Sequence, residues 1–302
     1  MESFQTEANE IVGLKIVCIG IGGAGCSVID HLFSKALVGI DLLAINTDIQ
    51  SLEHISEVKT ALTGTDIVFV LAGLGGGTGS GASPIIAKIA KEIGALTIAI
   101  VTTPFEFEGR QRFELAESGL KNIKKESDSV IVFQNEKLIH LIDKELGIKD
   151  AFKVVDATVV EAINEMIGVL LLNGENDINL EFYDLKTVMS HRGMALLSVG
   201  EGEGINSANE AIKQAIEAPL LEDVSLNEAT GILIYFTVHP DFPIIEIAEA
   251  IEMIHEDAHY DADIIWGTRT DNSLNEDYVK VTMILTGFEE NYNAANNADY
   301  EG

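Results

Sequence analysis

The chain has 302 residues, enough for one large domain or two ordinary ones, and its 47% hydrophobic and 23% charged residues describe a folded globular protein rather than a disordered one. Lys and Arg number 19 against 49 Asp and Glu, a formal net charge of −30, which disfavours nucleic-acid binding and direct membrane binding but is compatible with divalent cations. Cys18 and Cys26 form neither a CxxC pair nor a disulfide framework, no apolar run has the length of a membrane span, and the polar start MESFQTEANE lacks a signal-peptide pattern, so a cytoplasmic protein is expected.

Residues 1–13 read as a polar tail. The pattern then predicts a strand at Lys15–Gly20, a helix from about Gly25 to Ala36, and strands at Asp41–Asn46 and Asp66–Ala72. A helix over about Gly79–Ile93, a strand at Ala95–Val101, a helix over about Glu108–Lys125 and a strand at Ser129–Phe133 follow. Apolar strands alternating with helices imply a parallel sheet covered on both faces. From Lys149 to Leu172 there is a long helix, because Val155, Val159, Ile163, Met166 and Leu170 recur at helical spacing. Beyond the polar loop NGENDIN (Asn173–Asn179), strands are expected at Met194–Val199, Gly231–Val238, Asp263–Arg269 and Tyr278–Gly287, with helices at about Ser207–Glu217 and Ile244–His255. The expected organisation is an α/β domain over 14–148 with a Rossmann-like parallel sheet, a central helix over 149–172, a smaller α+β domain over 173–289, and a disordered tail over 290–302.

Two glycine clusters each follow a strand and open a helix. The first, Gly20-Ile21-Gly22-Gly23-Ala24-Gly25, fits GxGxxG, a pattern that lets backbone N–H groups approach phosphate oxygens but that also occurs as a plain tight turn. Asp48, at the end of the second strand, stands where a dinucleotide enzyme places its ribose-binding acid, which keeps an NAD-dependent oxidoreductase in view. The second cluster runs from Gly73 to Gly81 and includes Gly75, Gly76, Gly77, Thr78, Gly79 and Ser80. Two such loops at one sheet edge suit a nucleotide with several phosphates, with Thr78 and Ser80 as additional hydroxyl donors. No GxxxxGK[ST] motif occurs.

The run AGLGGGTGSG resembles the signature of the tubulin/FtsZ family of filament-forming GTPases. The resemblance extends from Gly13 to Glu289 through GIGGAG, NTDIQ (Asn46–Gln50), VTTPFEFEGRQR (Val101–Arg112), QNEKL (Gln134–Leu138), INLEFYDLKTVM (Ile178–Met189) and APLLEDVSLNEATGIL (Ala218–Leu233). The last motif and the length point to the bacterial cell-division branch rather than to eukaryotic tubulin. The resemblance implies the tubulin/FtsZ fold, GTP and GDP as ligands, Mg²⁺ as the accompanying ion, and a head-to-tail homopolymer acting at the division site, with other division proteins as possible partners. It implies phosphate contacts at Gly22, Gly23, Gly25, Cys26, Gly75, Gly76, Gly77, Thr78 and Gly79, and ribose or phosphate contacts at Asp48, Glu108 and Arg112. Asn135 and Asp156 would read guanine, and Phe152 would pack on the base. Asn179, Glu181 and Asp184 would complete the site of the next subunit, the two acids positioning the attacking water and the Asn assisting. Without the family, Glu108 and Arg112 are an i,i+4 surface pair, Phe152 is a core aromatic, and Asp184 is an N-cap.

Three departures stand out. Glu181 occupies a position where the family usually has Asp. Only Thr47–Thr65 separates the second strand from DIVFV, where the family carries a further strand, a glycine-rich loop reaching the γ-phosphate and a long helix. A crossover still fits in that span, but the γ-phosphate would lose a wall, so a GTP-binding accessory protein with impaired hydrolysis is the second reading. Residues 287–302 contain nothing like the apolar-basic peptide with which family members dock tethers. A last motif, His255-Glu256-Asp257-Ala258-His259, fits the zinc pattern HExxH, but the helix is expected to end within it, which argues against a metalloprotease.

Overall fold

The computed structural model describes residues 13–35, 39–46, 52–139, 146–171, 177–191, 193–218 and 224–288. The apolar run Ile16–Ile21 forms β1, buried along its whole length, as expected of a strand covered on both faces. It leads into α1 (Gly22–Ser34), β2 (Ile40–Ile45), α2 (Leu52–Leu62), β3 (Ile67–Gly73), α3 (Gly77–Glu92) and β4 (Leu96–Thr103). A 3-10 turn at Glu106–Glu108, α4 (Arg110–Glu126), β5 (Ser129–Gln134) and the single turn α5 (Asn135–Leu138) complete the first half. The long helix α6 (Ile148–Leu171) follows, then α7 (Phe182–Met189), β6 (Met194–Glu203), α8 (Ser207–Ile216), β7 (Gly231–Val238), α9 (Ile244–Asp257), β8 (Asp263–Thr270) and β9 (Tyr278–Phe288).

Among the described residues, the strands form one sheet in the order β2-β1-β3-β4-β5-β6-β9-β7-β8. It is parallel except at β9, which runs antiparallel to both its neighbours. The two halves of the chain meet at a short parallel pairing, Val130 with Met194 and Ile131 with Ala195. Each face carries its own core. Helices α1, α6 and α7 cover one face, through residues such as Leu32, Ile163 and Val188. Helices α2, α3, α4, α8 and α9 cover the other, through Leu62, Ile86, Ile123, Ile212 and Ile254.

The helix α6 buries Val155, Val159, Ile163 and Met166, the face predicted from spacing; the side chain of Leu170 lies outside the described residues. A polar clamp ties this helix to the second half. Glu165 pairs with the Lys280 ammonium and accepts a hydrogen bond from the Thr282 hydroxyl at 3.0 Å, both on β9.

Two elements differ from the sequence pattern. The helix α2 occupies the span between β2 and β3 that the pattern leaves as an unassigned crossover, with residues 47–51 outside the described set. Strand β6 continues past Val199 to Glu203, through GEGE, which reads locally as a loop. The helix α8 packs so closely there that a Cβ at Gly200 would lie 1.9 Å from the Ala211 carbonyl oxygen. The glycines therefore serve helix-on-sheet contact rather than a turn. The HExxH segment behaves as expected: α9 ends at Asp257 and leaves His259 outside the helix. Among the described residues no group of three or more His, Cys, Asp or Glu could hold a metal ion.

The Glu165 clamp makes a direct prediction. Glu165→Ala leaves Lys280 partly buried without its partner and should lower the unfolding free energy by about 1–3 kcal/mol, measured as a fall in the urea midpoint at unchanged m-value.

Candidate functional site

The predicted nucleotide residues gather at the carboxyl ends of four adjacent parallel strands. Strands β1 and β3 pair in register, Ile21 opposite Ala72, so the loops after them leave the sheet side by side. A Cβ built on Gly22 would sit 3.3 Å from the Gly79 amide nitrogen, which shows how closely the two loops abut. Each loop opens a helix whose N-cap, Ile21 for α1 and Gly76 for α3, makes no side-chain capping bond, and neither first turn contains an acid. The first amides of both helices thus lack a side-chain acceptor, and both positive dipole ends face the same opening.

The structure sorts the glycines into two groups. Gly22, Gly25, Gly75 and Gly79 are buried, whereas Gly23, Gly76 and Gly77 are exposed. A Cβ on Gly25 would lie 2.3 Å from the Leu71 carbonyl oxygen, and one on Gly79 would lie 2.1 Å from that of Gly73. Above Gly23, Gly76 and Gly77 nothing lies within 4 Å of such an atom. The first group lets the loops pack on the sheet, and the second leaves the cradle open. Thr78 is half-buried beside them. Ser80, expected as a hydroxyl donor to phosphate, is buried, and its Oγ accepts a hydrogen bond from the Gly75 amide at 2.9 Å. Cys26 is half-buried, with its Sγ 3.7 Å from the Ile45 carbonyl oxygen and its thiol pKa raised by burial. Asp48 lies outside the described residues.

The β4 end adds the next contacts. Glu108 accepts a hydrogen bond from the Phe105 amide at 2.9 Å and pairs with Arg112, so the i,i+4 ion pair forms. The pair sits beside the second glycine loop, because a Cβ on Gly75 would lie 3.0 Å from the Arg112 carbonyl oxygen. Three aromatic rings line this side. Phe107 stacks on Phe105 with centroids 5.0 Å apart, and Phe105 meets Phe152 of α6 edge-on at 5.5 Å. Phe105 and Phe107 are not singled out by the sequence reading, although both stand in the run VTTPFEFEGRQR.

Asn135 begins α5 at the end of β5; it is buried, and among the described residues its Oδ1 has no hydrogen-bond partner. A buried acceptor without a donor is costly, and a ligand N–H would satisfy it. Asp156 lies one turn beyond Phe152 on the same face of α6. Its Oδ2 accepts a hydrogen bond from Ser27 of α1 at 2.5 Å. Burial raises its pKa, while the Ser27 bond and the charge of His31 act in the opposite direction. Ser27 is a site residue that sequence reasoning missed, since its role exists only through contact with a helix 129 positions away.

The remaining predicted residues are elsewhere. Asn179 and Glu181 are exposed and Asp184 half-buried, at and before the start of α7. Asp184 is not the N-cap; that position belongs to Glu181. The two acids are joined at the helix start: Asp184 Oδ2 accepts from the Glu181 amide at 2.7 Å, and the Asp184 amide donates to the Glu181 carbonyl at 3.0 Å. The loop before them runs along β8, the outer strand of the sheet, where the Thr268 amide donates to the Ile178 carbonyl at 2.9 Å. Between Asp156 and Leu171 the central helix rises about 22 Å, and the acids follow that far end in the chain, beyond residues 172–176, which lie outside the described residues.

Comparison with known proteins agrees with this architecture. Residues 46–143 match the model of the GTPase domain of the Tubulin/FtsZ family, and residues 193–289 match that of the C-terminal domain of the FtsZ family. Cell division protein FtsZ of Helicobacter pylori is 37% identical over 94% of this chain and 82% of its own length. That of Aquifex aeolicus is 35% identical over 91% of this chain and 83% of its own. The first alignment runs over 317 positions, more than the 302 residues of this chain, so this chain carries gaps against its relative. A solved structure described as an empty FtsZ dimer from M. jannaschii superposes with a TM-score of 0.78 at 34% identity, covering 91% of this chain and 88% of the other. Fold and site therefore define a GTPase of the tubulin/FtsZ class. More particularly, the chain belongs to the FtsZ family.

Two predictions follow from the cradle and the base pocket. Gly77→Ala puts a methyl into open space and should leave folding intact while weakening GTP binding by about tenfold or more, whereas Gly25→Ala should destabilise the protein itself; calorimetric titration and thermal unfolding separate the two. For Asp156, the raised pKa has a definite sign: the folded state holds the proton more tightly than the unfolded one, so ionisation costs stability as pH rises through the ordinary aspartate range. Asp156→Asn should accordingly leave the nucleotide-free protein at least as stable at neutral pH, while its preference for guanine over adenine nucleotides falls.

Proposed function

We propose that this chain binds GTP in the double cradle, assembles head to tail through copies of itself, and hydrolyses GTP to GDP where one copy meets the next, as a cytoplasmic cell-division protein at the division site. The functional division we propose places nucleotide binding on the residues up to and including the start of the central helix, and the water-positioning acids after it, on the 173–289 segment. The single observation that carries this reading is the separation of the two parts. A helix of 24 residues, about 36 Å long, has Phe152 and Asp156 near one end, and its other end leads toward the acid loop. Acids that follow the far end of this helix would serve a neighbour's cradle rather than their own. An interface that repeats without closing produces a filament.

In this mechanism the amides of Gly23, Gly76 and Gly77, with the Thr78 hydroxyl, stabilise the phosphate charge, and Asn135 and Asp156 read the guanine edge. The aromatic side formed by Phe105, Phe107 and Phe152 covers the base. Glu181 and Asp184 of the adjoining protomer accept hydrogen bonds from water and aim it at the γ-phosphorus, with Asn179 beside them. A carboxylate can hold a backbone amide and still accept from water, so the bond from the Glu181 amide to Asp184 is compatible with this work. Mg²⁺ would neutralise charge on the phosphate oxygens. Such an ion commonly rests on phosphates and water with one or two carboxylates. Exposed apolar side chains occur at both ends: Phe107 and Phe152 by the cradle, Ile178 and Tyr183 by the acid loop. Their burial would favour the head-to-tail contact.

Asp184→Asn distinguishes catalysis from structure, because Asn retains an oxygen to cap Glu181 but loses the charge. GTP affinity and the sedimentable polymer should stay near wild type while phosphate release falls by roughly a hundredfold. Normal release from that polymer would refute the assignment.

A further inference from the structure

Strand β8 is the outer strand of the sheet, and an outer strand offers amides and carbonyls to whatever lies beside it. Here the segment Asp177–Leu180 takes that place. The Thr268 amide donates to the Ile178 carbonyl at 2.9 Å, and the Ile178 amide donates back to the Thr268 hydroxyl, also at 2.9 Å. One residue thus holds both polar groups of Ile178, using its backbone for one and its side chain for the other. Two residues along, the Thr270 amide donates to Asp177 Oδ2 at 3.1 Å. Beneath the loop, Gly267 leaves room for it: a Cβ there would lie 2.6 Å from Leu180 Cγ and 2.7 Å from the Ile178 carbonyl oxygen. Leu180 is buried, and so is Thr268.

Three residues beyond Ile178 stands Glu181, whose amide donates to Asp184 Oδ2 at 2.7 Å. The chain from β8 to the acids is therefore short and bonded at each step: Thr268 to Ile178, Leu180 into the core, Glu181 to Asp184. A free loop would spread the carboxylates over many positions, and misplacement by about 1 Å can cost roughly a hundredfold in rate. We propose that Thr268 is a positioning residue for hydrolysis: its hydroxyl, over the floor provided by Gly267, latches the 177–181 loop to β8 and holds Glu181 and Asp184 where the adjoining protomer's nucleotide meets them. This rests on the reading that those acids act on the neighbour's GTP. Thr268 bonds to Ile178 through its amide and its hydroxyl, and in this proposal it acts through the loop alone.

The test uses the full chain with GTP and Mg²⁺, measuring GTP affinity, sedimented polymer, and phosphate release per sedimented subunit. Thr268→Val removes the hydroxyl at nearly constant volume, and Thr268→Ser restores it. The expected result is that Thr268→Val lowers release by about tenfold or more with unchanged GTP affinity and apparent KM, while Thr268→Ser stays close to wild type. If Thr268→Val fails to fold, Gly267→Ala displaces the same loop from below and should give the same split between kcat and KM. Normal release from Thr268→Val polymer, with release abolished in Asp184→Asn, overturns the latch and leaves the trans-acting acids standing. Equal losses in Thr268→Val and Thr268→Ser, accompanied by lower thermal stability, overturn it in favour of a structural role. Full release from Asp184→Asn overturns both the latch and the reading on which it rests.

Discussion

The structure depends on two parallel strands ending level with one another. Because Ile21 of β1 lies opposite Ala72 of β3, the helices that follow begin side by side, with their first amides turned to one opening. Neither helix spends a side chain on its N-cap, and neither places an acid in its first turn. On a protein with a net charge of −30 this matters, since the surface as a whole repels a nucleoside triphosphate. Screening confines that repulsion to about 8 Å at physiological salt, while amide hydrogen bonds act at contact, so a local cradle can prevail over an unfavourable global field.

The central helix converts this local arrangement into a property of an assembly. It packs along one face of the sheet, meets α1 through Asp156 and Ser27, and is clamped to β9 through Glu165. Phe152 and Asp156 stand near its start, and the chain reaches the acid loop only after its far end. The same rod that carries the residues proposed to read guanine therefore leads, at its far end, to the groups proposed for the next site along a filament.

Economy at the acid loop is the second consequence. The Asp184 carboxylate holds the Glu181 amide, and the Asp184 amide donates to the Glu181 carbonyl, so the residues proposed to orient water also start α7. The Glu181 side chain, one methylene longer than an aspartate's, stands exposed at that start. The short connection from β2 to β3 is accommodated by packing. The helix α2 packs Val58 and Leu62 into the core, and β2 becomes the edge of the sheet.

Much of this was legible in the residues. Strand and helix positions followed from apolar runs and helical spacing, and the glycine clusters marked the cradle because only short-range chain geometry is involved. The α2 helix and the end of β6 were less legible, since a weakly patterned span and a GEGE run acquire their structure from what packs on them. The residue sorting within the site was not legible either. Buried Gly25 and exposed Gly77 look alike in sequence, as do half-buried Thr78 and the buried Ser80 hydroxyl that accepts from the Gly75 amide. Sequence alone determined that two glycine-rich turns, a long helix and an acidic loop exist, because each is encoded by neighbours along the chain. Only the tertiary structure decided that the turns share one rim, that Ser27 grips Asp156, and that the acid loop lies along the outer strand, because each of these is a contact between segments far apart in the chain.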